Sequence, residues 1–178
     1  MEQQIRFCTT PDGVRIAYAT VGQGPPLVCT PAALSHLEQE WAWPARRAFL
    51  ERLAEHHTVV RYDMYGCGLS DRERSDFSLE ADLRSLEAVV DQLKLRRFAL
   101  LGALWGGPSA IAYAAKYPRR VSQLILYGAY ARVDQAQGEL TDAMVALMQP
   151  QKCLPNCWNT IGMSMSWISS RSCATLRW

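Results

Sequence analysis

Gly102-Ala-Leu-Trp-Gly106 sets two glycines on either side of a single central residue. In a strand-turn-helix setting, that spacing presents a nucleophile for attack on an acyl carbon. The turn is strained, and the residues two before and two after its apex must be small because their backbones nearly touch. Gly102 and Gly106 meet that steric demand. The chemistry also needs an oxygen or sulfur at the apex, made reactive by a neighbouring base. Leu104 stands there instead, so the scaffold of a nucleophile elbow is present without its reacting atom. Ser109 is the nearest following hydroxyl, but it falls inside the expected helix and away from the turn.

The elements around the turn can be read from apolar patterning. Phe7 to Thr10 and Val14 to Thr20 flank Pro11-Asp-Gly13 and predict a β-hairpin. Leu27 to Thr30 is a short apolar run of the kind buried on both faces of a parallel sheet, which predicts a central strand. Arg46 to Glu55 is expected as a helix with Phe49, Leu50, Leu53 and Ala54 on one face, followed by a strand at Thr58 to Tyr62. Ser78 is the expected N-cap of a helix carrying Leu79, Leu83, Leu86, Val89, Val90 and Leu93 at helical spacing. A strand at Phe98 to Leu101, a helix ending at Tyr117 before Pro118, and a strand at Val121 to Tyr127 complete the pattern. The fold class is α/β: a mostly parallel, doubly wound sheet with an antiparallel hairpin at its start.

Three motifs in order carry a resemblance. Leu100-Leu-Gly-Ala-Leu-Trp-Gly-Gly107 is similar to an elbow reading Leu-Leu-Gly-x-Ser-x-Gly-Gly. Val60-Arg-Tyr-Asp-Met-Tyr-Gly-Cys-Gly-Leu-Ser-Asp71 contains Asp-x-x-Gly-x-Gly-x-Ser, and Ala112 to Gly128 reads as a helix, a Pro-x-Arg-Val break and a strand. Together they resemble the N-terminal half of an α/β-hydrolase over about residues 5 to 147. The resemblance implies hydrolysis of esters or related acyl bonds by a serine triad in the chain order nucleophile, acid, histidine.

Measured against that implication, the catalytic residues are not intact. The three histidines, His36, His56 and His57, all precede the elbow. His56 and His57 are expected at a helix end as solvated or capping residues, and His36 in the loop after the third strand as a structural loop histidine, with a polar contact near a pocket as the alternative. Asp134 occupies a place where the family can carry its acid, but with no histidine to orient it reads as a surface loop residue. Two backbone donors remain as oxyanion-type groups: the N–H of Trp105 at the helix start and, by the resemblance, that of Ala33 in Pro31-Ala32-Ala33. They could hold a carbonyl or carboxylate without transforming it.

Composition bounds the alternatives. The chain has 178 residues, 49% hydrophobic and 20% charged, enough for one domain with a real core. A formal charge of +2 gives no footprint for nucleic acid. No metal or other cofactor is implied, because Cys153 and Cys157 have no further ligand at suitable spacing. The first residues carry no apolar signal segment, which predicts a cytoplasmic protein with reduced cysteines. Phe98 to Ala115 runs for eighteen residues without a charge. Its glycines and Pro108 predict a buried strand, a turn and a helix rather than a membrane span.

The organisation expected is an α/β-hydrolase N-terminal part over residues 1–150 and an atypical tail over 151–178. That tail carries three cysteines, three tryptophans and no acid. A shifted reading frame, an early stop or an irregular cap region would each account for it. The expected function is therefore an α/β-hydrolase protein impaired in turnover. A non-catalytic domain that binds or senses a small carbonyl or carboxylate, and a truncated relic, are the alternatives. Without later strands to cover it, Val121 to Tyr127 is expected as a sheet edge open to self-association.

Overall fold

The computed structural model describes residues 1–32 and 34–130. Strand β1 (Gln4–Thr9) pairs antiparallel with β2 (Arg15–Val21), and the turn between them contains Gly13 at φ 90°. The hairpin joins the sheet through β2, which runs antiparallel to β4 (Thr58–Tyr62). From there the sheet is parallel: β4 pairs with β3 (Pro26–Cys29), β3 with β5 (Phe98–Ala103), and β5 with β6 (Val121–Tyr127). The strand order is β1-β2-β4-β3-β5-β6, so β3 is central and β6 has β5 as its one partner among the described residues.

Alternation along these strands supplies two apolar faces. Val28, Val60, Phe98 and Leu100 face the helices α3 (Leu79–Gln92) and α4 (Gly107–Lys116), packing with Leu86, Val89, Val90, Ala110 and Tyr113. Leu27, Cys29 and Val59 point the other way, onto Leu50 and Ala54 of helix α2 (Pro44–Ala54). A residue period of two thus feeds two helical layers from each central strand, which is why these strands read as continuous apolar runs.

Local signals set the helix boundaries. The Ser78 hydroxyl accepts from the Ala81 N–H at 3.2 Å, with Glu80 and Asp82 in the first turn of α3. Pro44 opens α2, where its missing N–H costs nothing. A short helix, α1 (Leu37–Ala42), precedes it and was not expected from the sequence. Phe49 is a correction within α2. It is exposed, with the Arg46 guanidinium 5.5 Å from its ring centroid, while Leu50 and Ala54 take the buried face. The uncharged run from Phe98 divides into β5, a turn and α4, and no helix among the described residues is long and apolar enough to cross a membrane. The tail over 151–178 and Asp134 lie outside the described residues.

Candidate functional site

The carboxyl ends of β3, β4 and β5 converge where the strand order reverses around β3, the position at which open α/β sheets form ligand crevices. At the end of β5 the chain enters a single 3₁₀ turn, Leu104–Gly106, and continues directly into α4. Leu104 is the apex, at φ 48°, a left-handed conformation that costs a leucine roughly 1–2 kcal/mol. Its side chain is about half exposed.

Close packing explains the two small neighbours. A Cβ on Gly102 would come within 2.6 Å of the Ala110 Cβ, and one on Gly106 would collide with Thr30 Oγ1 and come within 2.6 Å of the Pro31 carbonyl oxygen. The Thr30 hydroxyl uses that proximity by donating to the Gly106 carbonyl at 2.9 Å. The end of β3 is thereby fastened to the turn.

The backbone donor of Trp105 is already engaged. Its N–H donates to the Ala32 carbonyl oxygen at 3.1 Å, which departs from the expectation of a donor directed at a ligand. Ala33, the second expected donor, lies outside the described residues. Ser109 is buried within α4, and Trp105, Gly106, Gly107 and Pro108 stand between it and the apex in sequence.

A cavity of about 240 Å³ opens beside Leu104, bounded by the end of β3, by α1 and α2, and by Arg61 and Tyr62 of β4. Leu34, Leu37 and Trp43 give it apolar walls, and Glu40, Arg46 and Arg61 give it charge. Cys29 also lines it, but burial pushes that thiol up to about 12, which leaves it protonated and inert as a nucleophile at neutral pH. His36 does not line this cavity. It stands at the N-cap position of α1 with Nδ1 buried and unpaired among the described residues. His57 Nδ1 lies 3.2 Å from the Leu53 carbonyl at the end of α2, the capping position expected of it.

Sequence reading missed the charged wall. Its one local signal was Arg61, a lone charge inside the apolar strand Thr58-Val-Val-Arg-Tyr62. A buried charge in a central strand needs a partner. Glu40 supplies it at 3.1 Å, and Gln3 accepts a further bond.

The Asp63–Ser70 loop braces the floor. The Asp63 carboxylate accepts the Leu69 N–H at 2.8 Å, the Ser70 hydroxyl bridges the Asp63 carbonyl and the Ala17 N–H, and the Met64 N–H donates to Ser35 Oγ at 2.7 Å. A side chain on Gly68 would occupy the space of the Asp63 carboxylate. Burial raises the Asp63 carboxyl above its ordinary value despite these donors. The bonds of this loop tie β4 to β2 through Ser70 and Ala17, and to the loop after β3 through Met64 and Ser35, a positioning role.

Comparisons with known proteins agree with this architecture. A family model for the alpha/beta hydrolase fold matches residues 25–160. The 2-hydroxy-6-oxo-2,4-heptadienoate hydrolase of Pseudomonas putida is 30% identical over 145 residues, covering 81% of this chain and 50% of that protein. The crystal structure of a hydrolase from Pseudomonas aeruginosa superposes with a TM-score of 0.73 at 24% identity, over 95% of this chain and 63% of that one, a likeness of fold. A thermophilic esterase from Thermogutta terrifontis, solved with malate bound, gives a TM-score of 0.65 at 28% identity, over 80% of this chain and 52% of that one. The chain thus spans about half the length of the Pseudomonas putida hydrolase. The sheet order, the strand-turn-helix at Leu104 and the family match lead to one statement of kinship: the chain belongs to the alpha/beta hydrolase fold family.

Proposed function

We propose that this chain is a hydrolase-fold domain without serine-type turnover, whose cavity beside Leu104 binds a small carbonyl or carboxylate compound. The observation that carries the reading is Leu104 itself. It holds the left-handed apex of the turn after β5 and offers no oxygen or sulfur to attack an acyl carbon. Hydrolysis of esters or related acyl bonds, which family membership suggests, is the activity this reading denies to the chain.

Two names among the comparisons support the ligand class, since one relative is a dienoate hydrolase and one esterase was solved with malate. Both dienoate and malate are carboxylates. The position of the cavity at the strand ends is also where this type of sheet accepts ligands.

Two measurements test the reading. Purified protein is expected to hydrolyse activated aryl esters no faster than a heat-denatured control, and stoichiometric labelling by a serine-directed fluorophosphonate would overturn it. Carboxylate or carbonyl compounds are expected to raise the melting temperature reproducibly. A flat response across such a series would favour a relic without a ligand.

A further inference from the structure

Arg46 Nε and Arg61 Nη1 donate to the same oxygen, Glu40 Oε2, each at 3.1 Å. Arg61 is buried in β4 and gives its other terminal nitrogen to Gln3, so its donors face protein acceptors. Arg46 is different: its side chain is 30% exposed, and its two terminal nitrogens make no hydrogen bond to a described residue. All three charged groups line the cavity beside Leu104.

Two guanidinium groups against one carboxylate leave a unit of positive charge on this wall. Asp63 influences Arg61 more weakly than Glu40 does and does not line the cavity, so it leaves that balance at the wall in place. Leu37, Trp43 and Leu104 give the cavity apolar walls beside this charge. A guanidinium with two free parallel N–H groups matches a carboxylate in a bidentate pair.

We propose that the cavity takes a small monocarboxylate, with its anionic head on the terminal nitrogens of Arg46 and its short apolar tail against Leu104. The proposal rests on the reading of Leu104 as the wall of a ligand site. It goes further by choosing an anion over a neutral carbonyl and by placing the charge on Arg46 rather than on backbone donors. Glu40 is the positioning residue: by accepting from Arg46 Nε it fixes that guanidinium at the cavity wall with its terminal nitrogens left for a ligand.

Saturation-transfer NMR and thermal-shift titration with hexanoate, hexanamide and inorganic phosphate test it, on the full chain and on Arg46→Gln, Arg46→Lys and Leu104→Gly. Hexanoate is expected to bind and hexanamide to bind at least about tenfold more weakly, since the charge-assisted pair is then lost. Arg46→Gln is expected to weaken hexanoate by a similar factor, and Arg46→Lys by less. Because Arg46 is partly exposed, Arg46→Gln should keep its far-UV spectrum. If it does not fold, the hexanoate-to-hexanamide contrast in the unmodified protein still decides the question.

Equal binding of hexanoate and hexanamide, weakened in both cases by Leu104→Gly, would overturn the anion site while leaving the ligand cavity standing. No signal from either compound would overturn the cavity reading and this proposal with it. Phosphate binding as tightly as hexanoate would overturn the assignment to a carboxylate with an apolar tail.

Discussion

The backbone N–H of Trp105 donates to the carbonyl oxygen of Ala32 at 3.1 Å, so the first amide after the turn is already satisfied within the protein. A carbonyl ligand reaching for that amide must displace Ala32 and replace a bond of equal kind, for little net gain. The same contact bears on any attempt to restore catalysis.

Leu104→Ser is therefore expected to leave the chain inactive. A serine there would have no oxyanion donor in Trp105 until the Ala32 carbonyl moved, and no histidine follows it within the 178 residues. Because triad members act as a unit, one of them alone recovers little. The check is aryl-ester hydrolysis by the variant against a heat-denatured control. A rate comparable to an intact hydrolase would show that a base has been overlooked.

Leu104→Gly should raise stability by about 1 kcal/mol, because glycine adopts φ 48° without the steric cost and little buried area is lost from a half-exposed side chain. Leu104→Ile should lower it by a similar amount, a β-branched residue being least tolerant of this region. Urea midpoints for the three proteins measure both effects, and a destabilised glycine variant would mean that the leucine side chain packs more than its exposure indicates.

Gly106→Ala should cost about 1–3 kcal/mol through overpacking. The added Cβ meets backbone at the Pro31 carbonyl, 2.6 Å away, as well as the Thr30 hydroxyl. Backbone cannot step aside as a flexible side chain can. Chemical denaturation reads the loss, and an unchanged midpoint would refute the packing argument.

Asp76 gives a prediction in pH. The Ser78 hydroxyl and N–H, with Arg84, hold its carboxyl down to about 2. A carboxyl depressed in the folded state adds stability that is fully present above its unfolded value near 4 and is lost as pH falls toward 2. Asp76→Asn should lower stability at neutral pH and flatten the acid limb between about pH 4 and 2. Unfolding curves across that window for both proteins decide it; parallel acid limbs would remove Asp76 from the account.

Much of the fold could be read from residues in sequence. Leu27 to Thr30 announced a strand buried on both faces, Thr58 to Tyr62 and Phe98 to Leu101 announced further strands, and Ser78 announced a helix start. Helix α1 escaped because six residues are too few to show a period, and Phe49 was misplaced because it adjoins Leu50 on the apolar stripe yet stays exposed beside the Arg46 guanidinium. The cavity was hidden for a different reason. Its walls come from β3, α1, α2, β4 and the turn at Leu104, and only the crossovers of the sheet bring Glu40, Arg46 and Arg61 together.

The left-handed backbone at Leu104 separates two things usually found together. In a working elbow the strained conformation and the reacting atom coincide, so the strain is readily credited to the reaction. Here the conformation persists around a residue that cannot react, held by Gly102 against Ala110 and by Gly106 against Thr30. The turn is a property of how β5 meets α4, independent of what its apex carries. For protein engineering this makes position 104 a pre-shaped mount: a cysteine, a non-natural nucleophile or a spectroscopic probe placed there would inherit a defined direction into the cavity without any redesign of the backbone.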